Sequence, residues 1–327
     1  MSVSILIPAF RPTYLRQAIA SALTQGFEDF ELVIGDDNPG EEVRKIVKEF
    51  QDRRIRYLRT SGAAGALENM RMLWSAASRP LVKYLFDDDL LMPMALIEMV
   101  KAMESYPNSS FCFSNRYIID NVGRVLEERK STTEGEVSSI QGHSLTTALL
   151  PIVTNRIGEF SNVMVNLDSG VEFSDIERFQ GFDIMMLGDM AFYLNATRKA
   201  PAVRIGKTLA AFRIHGQQHS SPGYNPWFAR SLCEWEVLVR CEYDVRRLDA
   251  GQALRAARRL QTAYASWEPQ LPEIKHLQPE LAVFCDELEL GRAAGVTEAF
   301  RTGLARLTDD IEKRRLARLS PGAAGPD

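Results

Sequence analysis

Cysteine is scarce and scattered: Cys112, Cys233, Cys241 and Cys285 are the only four. No C-x-x-C pair or Cys/His cluster occurs, which excludes a disulfide scaffold and a structural zinc site and leaves free thiols in a reducing compartment as the expectation. A basic excess is also missing. Lys and Arg number 39 against 43 Asp and Glu, a net charge of -4, so the footprint of a nucleic-acid binder is absent and no nucleic-acid partner is expected. No apolar run approaches the roughly 18 residues of a membrane span. Ser2 leads straight into an apolar strand pattern, without a basic leader or small-residue cleavage site. The expected location is cytoplasmic, with attachment at the inner face of the cell membrane left open. Internal repeats and low-complexity tracts are lacking too.

What is present is an alternation. Residues 3–7 (VSILI), 31–34 (ELVI), 55–58 (IRYL) and 81–86 (LVKYLF) read as short buried strands. Helical periods fill 15–25, 41–50 and 67–77 between them. Strands and helices in this order predict a parallel sheet covered on both faces, with ligands at the carboxyl ends of the strands. The unusual polar residues stand at those ends: Pro8-Ala9-Phe10-Arg11, Asp36-Asp37, and Asp87-Asp88-Asp89. Strands are also expected at 111–114 and 117–119, a polar loop at 127–142, and a second loop at 215–226 (HGQQHSSPGYNP). From there to 319 the pattern is helical, with apolar stripes through Phe228, Leu232, Trp235 and Val239, then Ala257, Leu260, Tyr264 and Trp267, then Leu281, Phe284 and Leu288, and finally Val296, Phe300, Leu304, Leu307 and Ile311. The tail 320–327 is expected to fray.

Three neighbouring carboxylates repel, and each raises the others' affinity for protons unless a cation offsets them. Mg2+ or Mn2+, hard ions that share coordination with phosphates, are the natural partner. A solvated acidic turn in which Asp88 or Asp89 caps a helix explains the same residues.

The runs VSILIPAF, ELVIGDDN and LVKYLFDDDLLMP, at their spacings, resemble family 2 glycosyltransferases of the GT-A fold over residues 3–220. The resemblance implies an α/β GT-A fold, a nucleotide-diphospho-sugar transferase's mixed sheet flanked by helices, with a C-terminal α-helical appendage. Its domains would be 1–225 catalytic, 226–319 helical and 320–327 disordered. It assigns Pro8, Ala9, Phe10 and Asp37 to the nucleotide, with Asn69 closing the Gly-rich segment 62–69, where Glu68 stands in place of the usual Arg. The family's Asp-x-Asp-Asp register puts Phe86 at its first Asp, so Asp87 substitutes near the ribose. Asp88 becomes the direct ligand of Mg2+ or Mn2+, with Asp89 and His215 as further metal ligands. Asp189, in LGDMAFY, falls where the family places its general base; it also suits a helix cap, and the two roles are compatible. Arg213-Ile214-His215 resembles the segment that closes the catalytic domain, and the loop after it, with Gly216, His219, Pro222, Gly223 and Pro226, is a candidate lid.

The implied reaction is inverting transfer of a sugar from a nucleotide-diphosphate donor, a UDP-sugar foremost, to a hydroxyl of a glycan, lipid-linked or protein acceptor. Two alternatives stand beside it. A sugar-phosphate nucleotidyltransferase needs a Gly-rich, basic loop after its first strand, which Pro8-Ala9-Phe10-Arg11-Pro12 lacks. A non-catalytic partner subunit that binds nucleotide or carbohydrate has little need of Asp189. The clusters Arg255, Arg258, Arg259 and Lys313, Arg314, Arg315, Arg318 read first as solvated helix faces and second as a peripheral contact with anionic lipid. The aromatic stripes on the same helices read as core or as a homodimer contact.

Overall fold

A run of apolar residues without polar alternation needs cover on both faces. β1 (Val3–Ala9) has it: Val3, Ile5, Leu6 and Ile7 are fully buried. The computed structural model, which describes residues 1–60, 62, 64–218, 225 and 227–319, continues with α1 (Leu15–Leu23), β2 (Phe30–Asp36), α2 (Glu42–Lys48), β3 (Ile55–Arg59), α3 (Ala66–Ala76) and β4 (Leu81–Tyr84). β1 pairs in parallel with β2 and β4, and β2 with β3. Parallel neighbours need crossover connections, which α1, α2 and α3 supply. Pro8 does not end β1 as its missing N–H suggests. Ala9 O accepts from Asp37 N on the β2 side, so Pro8 faces the β4 side, where the ladder has already stopped at Leu6 and Tyr84.

Beyond β4 the sheet becomes mixed. β5 (Leu90–Leu91), α4 (Ala95–Ser105), β6 (Phe111–Ile119), β7 (Val125–Arg129), β8 (Val137–Ile140), α5 (Gly142–Leu149) and β9 (Val163–Asn166) follow. After them come α6 (Ser174–Glu177), β10 (Arg178–Phe179), β11 (Phe182–Asp183), α7 (Gly188–Lys199) and β12 (Ala202–Arg213). Among the described residues the strand order is β3-β2-β1-β4-β9-β6-β12-β5, with β7 added to β6 and β8 to β12. β9 runs antiparallel to both β4 and β6. Residues 127–142, expected to be a loop, contain the end of β7 and all of β8. β7 is exposed along its whole length and is held by backbone pairing to β6 rather than by apolar burial. A reading based on hydrophobic pattern has nothing to detect there.

The chain divides into two compact units. Met1–Gly142, Arg156–Ser174 and Asn195–His215 form the first, which holds the large sheet. Its core joins Ile5, Ile7, Leu32 and Ile34 to Leu15, Ile19, Val43, Ile46, Leu96 and Met99 from the helices. His143–Asn155, Asp175–Leu194 and the described residues from Gly216 onward form the second. That unit contains α8 (Phe228–Asp244), α9 (Ala250–Trp267), α10 (Gln278–Glu289) and α11 (Glu298–Leu319). The stripes expected on α9, α10 and α11 are buried at Ala257, Leu260 and Tyr264, at Leu281, Phe284 and Leu288, and at Phe300, Leu304, Leu307 and Ile311. α8 is different. Cys233 to Glu242 is buried at every position, so its charges Glu234, Glu236, Arg240 and Glu242 are inside. Arg240 pairs with Glu236 at 2.7 Å, lies over the rings of Phe284 and Phe300, and Tyr264 donates to the other oxygen of Glu236. Among the described residues no helix is long and apolar enough to cross a membrane. His219, Pro222, Gly223 and Pro226 of the expected lid, and the tail 320–327, lie outside the described residues.

One buried carboxylate contributes to the acid response of the first unit. Glu31 accepts from Ser4 Oγ at 2.6 Å, Ser78 N at 2.7 Å and Arg56 Nη1 at 2.5 Å. Burial pushes its carboxyl up, but the hydrogen bonds from Ser4, Arg56 and Ser78 outweigh it and hold the group down at about 2, against 4.5 for an ordinary glutamate. A depressed value means stability that is present above the unfolded value and lost as pH falls through the window between them. Glu31→Gln should therefore flatten the fall in unfolding free energy between pH 4.5 and about 2, measured by urea titration across that range. An unchanged slope would contradict the assignment.

Candidate active site

The parallel registers Ala9↔Asp36 and Leu6↔Tyr84 bring the ends of β1, β2 and β4 to one edge of the sheet. The chain leaving each strand carries the polar residues singled out above. Asp87 closes the gap between the first and the last: its Oδ2 accepts from the backbone N–H groups of Phe10 and Arg11, each at 2.8 Å. Burial, then the adjacent Asp88, pushes the Asp87 carboxyl up to about 6 against those two hydrogen bonds. Ala9 is buried, Pro8 half-buried, and the Phe10 ring is 45% exposed with the Arg11 guanidinium 5.9 Å from its centroid. An exposed aromatic face beside a cation is a platform on which a planar ring can stack.

Asp37 turns toward the loop before α3. Its buried carboxylate accepts from Ala64 N at 3.0 Å, from Gly65 N at 2.8 Å and from the Thr60 hydroxyl. Gly65 sits at φ 90°, a conformation that favours glycine. Asn69, one turn into α3, donates its Nδ2 to Gly35 O at 2.8 Å and is buried. The fit is tight. A Cβ on Gly35 would lie 2.2 Å from Asn69 Oδ1 and 3.0 Å from Leu73 Cγ. Gly35→Ala should destabilise the fold by about 1–3 kcal/mol, the usual cost of overpacking, seen as a lower melting temperature. A melting temperature equal to the parent's would show that the packing here yields easily.

Asp88 and His215 meet. His215 Nε2 lies 2.9 Å from Asp88 Oδ2, and the two side chains are 9% and 17% exposed. Tyr14 packs against the imidazole with ring centroids 5.3 Å apart. Arg213, two residues before His215 and wholly buried, fixes the geometry from behind. Its Nε donates to Asp88 O at 2.8 Å, its backbone N–H to Asp89 Oδ1 at 3.0 Å, and its other nitrogens to Gln17 Oε1 and Asp120 O. The guanidinium also covers the Tyr14 ring at 4.3 Å. Asp89 is fully buried, and desolvation followed by the Asp88 charge pushes its carboxyl well up.

A carboxylate oxygen and an imidazole nitrogen facing each other fit Mn2+ or Mg2+ as a donor set. Among the described residues no group of three or more His, Cys, Asp or Glu side chains converges, and Asp89 places one oxygen on the Arg213 N–H while its buried Oδ2 has no hydrogen-bond partner. Two protein ligands suit a divalent ion that completes its shell with water and substrate phosphate, not an all-protein cage.

Asp189 belongs to the second unit. It lies in the first turn of α7, half-buried, and Asn155 Nδ2 donates to its Oδ2 at 2.7 Å. Gly188 before it is closely packed: a Cβ there would meet Ile176 Cγ2 at 2.8 Å and Ile176 O at 3.1 Å, so a larger residue requires a shift. Sequence reasoning missed Gln17, Tyr14 and Asn155. Nothing in their local pattern marks them, because each acts across the fold. Arg213 was visible only as a neighbour of His215.

Residues 4–163 match the family model described as glycosyl transferase family 2. That segment is family 2 sequence, and the chain's mixed sheet with C-terminal helices is a GT-A glycosyltransferase fold. One curated relative is the UDP-Glc:alpha-D-GlcNAc-diphosphoundecaprenol beta-1,3-glucosyltransferase WfgD of Escherichia coli, 32% identical over 134 residues, covering 40% of this chain and 53% of that one. Another is the GalNAc(5)-diNAcBac-PP-undecaprenol beta-1,3-glucosyltransferase of Campylobacter jejuni, 35% identical over 131 residues, covering 38% and 41%. The chain thus spans about half the length of the curated relatives it matches. Among solved structures, S. aureus TarS 1-349 in complex with UDP aligns over 97% of this chain and 92% of its own, with a TM-score of 0.57 at 13% identity.

Proposed function

We propose that the protein transfers a sugar, with inversion, from a UDP-sugar to a hydroxyl of a growing glycan on a lipid carrier. The observation that carries this reading is the Asp88–His215 pair at the strand ends, beside the exposed ring of Phe10. The base of the donor stacks near Pro8, Ala9 and Phe10, with Asp37 and Asn69 shaping the loop around it. Asp88 and His215 would hold Mg2+ or Mn2+, and the bound ion would offset the charge developing on the departing diphosphate. Asp87 keeps Phe10 and Arg11 in place through their N–H groups. Asp189, oriented by Asn155, takes the proton from the acceptor hydroxyl as it attacks the anomeric carbon. A single displacement of this kind inverts that carbon. The names of the E. coli and C. jejuni relatives, both acting on undecaprenol-diphosphate-linked acceptors, support a lipid-linked acceptor and work at a membrane surface. UDP in the TarS complex supports the nucleotide. The test is turnover of a panel of UDP-sugars with Mn2+, compared between the parent protein and Asp189→Asn. Absence of any donor-dependent, Mn2+-stimulated release of UDP would overturn the reading.

A further inference from the structure

The second unit contains a buried carboxylate that holds the segment leading to Asp189 and pairs with a buried arginine. Glu234, on α8 and fully buried, accepts from three consecutive backbone N–H groups: Met185 N at 2.8 Å, Met186 N at 2.9 Å and Leu187 N at 2.8 Å. Leu187 is followed by Gly188 and Asp189, the start of α7. Arg230, one turn earlier on α8, pairs with Glu234 at 3.0 Å and donates to Asp183 O at 3.0 Å and to Thr308 Oγ1 at 2.6 Å. The same guanidinium therefore grips the chain at Asp183, two residues before the N–H groups that Glu234 takes. An ionised acceptor makes hydrogen bonds about twice as strong as a neutral one, and burial makes an unpaired charge here costly. A backbone segment held at Asp183 and again at Met185, Met186 and Leu187 has little freedom left.

We infer that Glu234, buttressed by Arg230, is a positioning residue for Asp189: it sets the backbone from which the base projects, while Asn155 sets its carboxylate. The inference rests on the proposed role of Asp189 as base. Glu234 touches neither donor nor acceptor. Its effect passes through the placement of Asp189, where an error of about 1 Å can cost roughly a hundredfold in rate.

The test compares Glu234→Gln, Asp189→Asn and the double variant, with rates normalised to the fraction of protein that binds UDP with Mn2+. Glu234→Gln removes the charge and turns an amide toward the N–H groups. Its kcat should fall about 10- to 100-fold with the donor KM held within about twofold, and Glu234→Asp should recover part of the loss. In the Asp189→Asn background the same change should cost almost nothing further, because both act on one step. An unchanged kcat in Glu234→Gln overturns the inference, as does a full further loss in the double variant, which would mark a general effect on folding. Should Glu234→Gln fail to fold, Glu234→Asp carries the same comparison, since it keeps the charge and stops one methylene short. If Asp189→Asn itself turns over normally, the assignment of the base falls, an outcome distinct from a silent Glu234 beside a dead Asp189→Asn.

Discussion

Asp189→Asn should lower the rate of sugar transfer by roughly a thousandfold, within the range general-base catalysis supplies, while UDP binding stays at the parent level. The amide has the size of the carboxylate, and its one oxygen can keep either the hydrogen bond from Asn155 or that from Met190 N, so the start of α7 should stay close to its parental shape. What it cannot do is take a proton. The loss should fall on kcat, the pattern expected for a group that acts as the acceptor hydroxyl ionises. Steady-state transfer and nucleotide titration together decide the matter. A variant with near-parental kcat would remove Asp189 from the chemistry and leave it as part of a helix start.

The second large effect concerns the divalent ion. Asp88→Asn keeps an oxygen toward His215 but removes the charge from one of the two donors that face each other. In the parent protein, Mn2+ should tighten UDP binding by at least about tenfold, since an ion held by one carboxylate completes its shell with phosphate oxygens. In Asp88→Asn that gain should vanish, so that its affinity with Mn2+ equals the parent's in EDTA. Calorimetric titration of UDP under the two conditions measures this directly. An undiminished Mn2+ effect in the variant would place the ion elsewhere.

The first hundred residues were legible because their physics is local. Continuous apolar runs become central strands, and helices with Val43, Ile46 and Val47 on one side bury that side. Once the order of strands and helices is read, the polar residues after each strand must gather at one edge, and Phe10, Asp37 and Asp87 do. What stayed hidden depends on partners far away in sequence. β7 exists because β6 offers a ladder, not because its side chains need cover. On α8 the sequence reads as one apolar stripe with polar residues elsewhere, yet the polar residues are buried too. Each finds a counter-charge or a backbone group that no periodicity displays. Asp89 shows the same dependence within a motif: it shares a run with Asp88, yet one of its oxygens accepts from the backbone of Arg213, a partner more than a hundred residues away.

The buried charges of α8 also govern how this protein can drift over evolutionary time. A lone change at Glu236 would take the paired carboxylate from a buried Arg240 and leave it the carbonyls of Gly295 and Glu280, and a lone change at Arg240 would leave the buried Glu236 with the Tyr264 hydroxyl but without its counter-charge. Breaking such a pair costs about 3–5 kcal/mol, whereas exchanging the whole set for well-packed apolar groups can be neutral. Lineages descending from this sequence should therefore alter these positions together or leave them alone. Arg240, Glu236 and Tyr264 form one heritable unit, and α8 carries its history in joint steps rather than single ones.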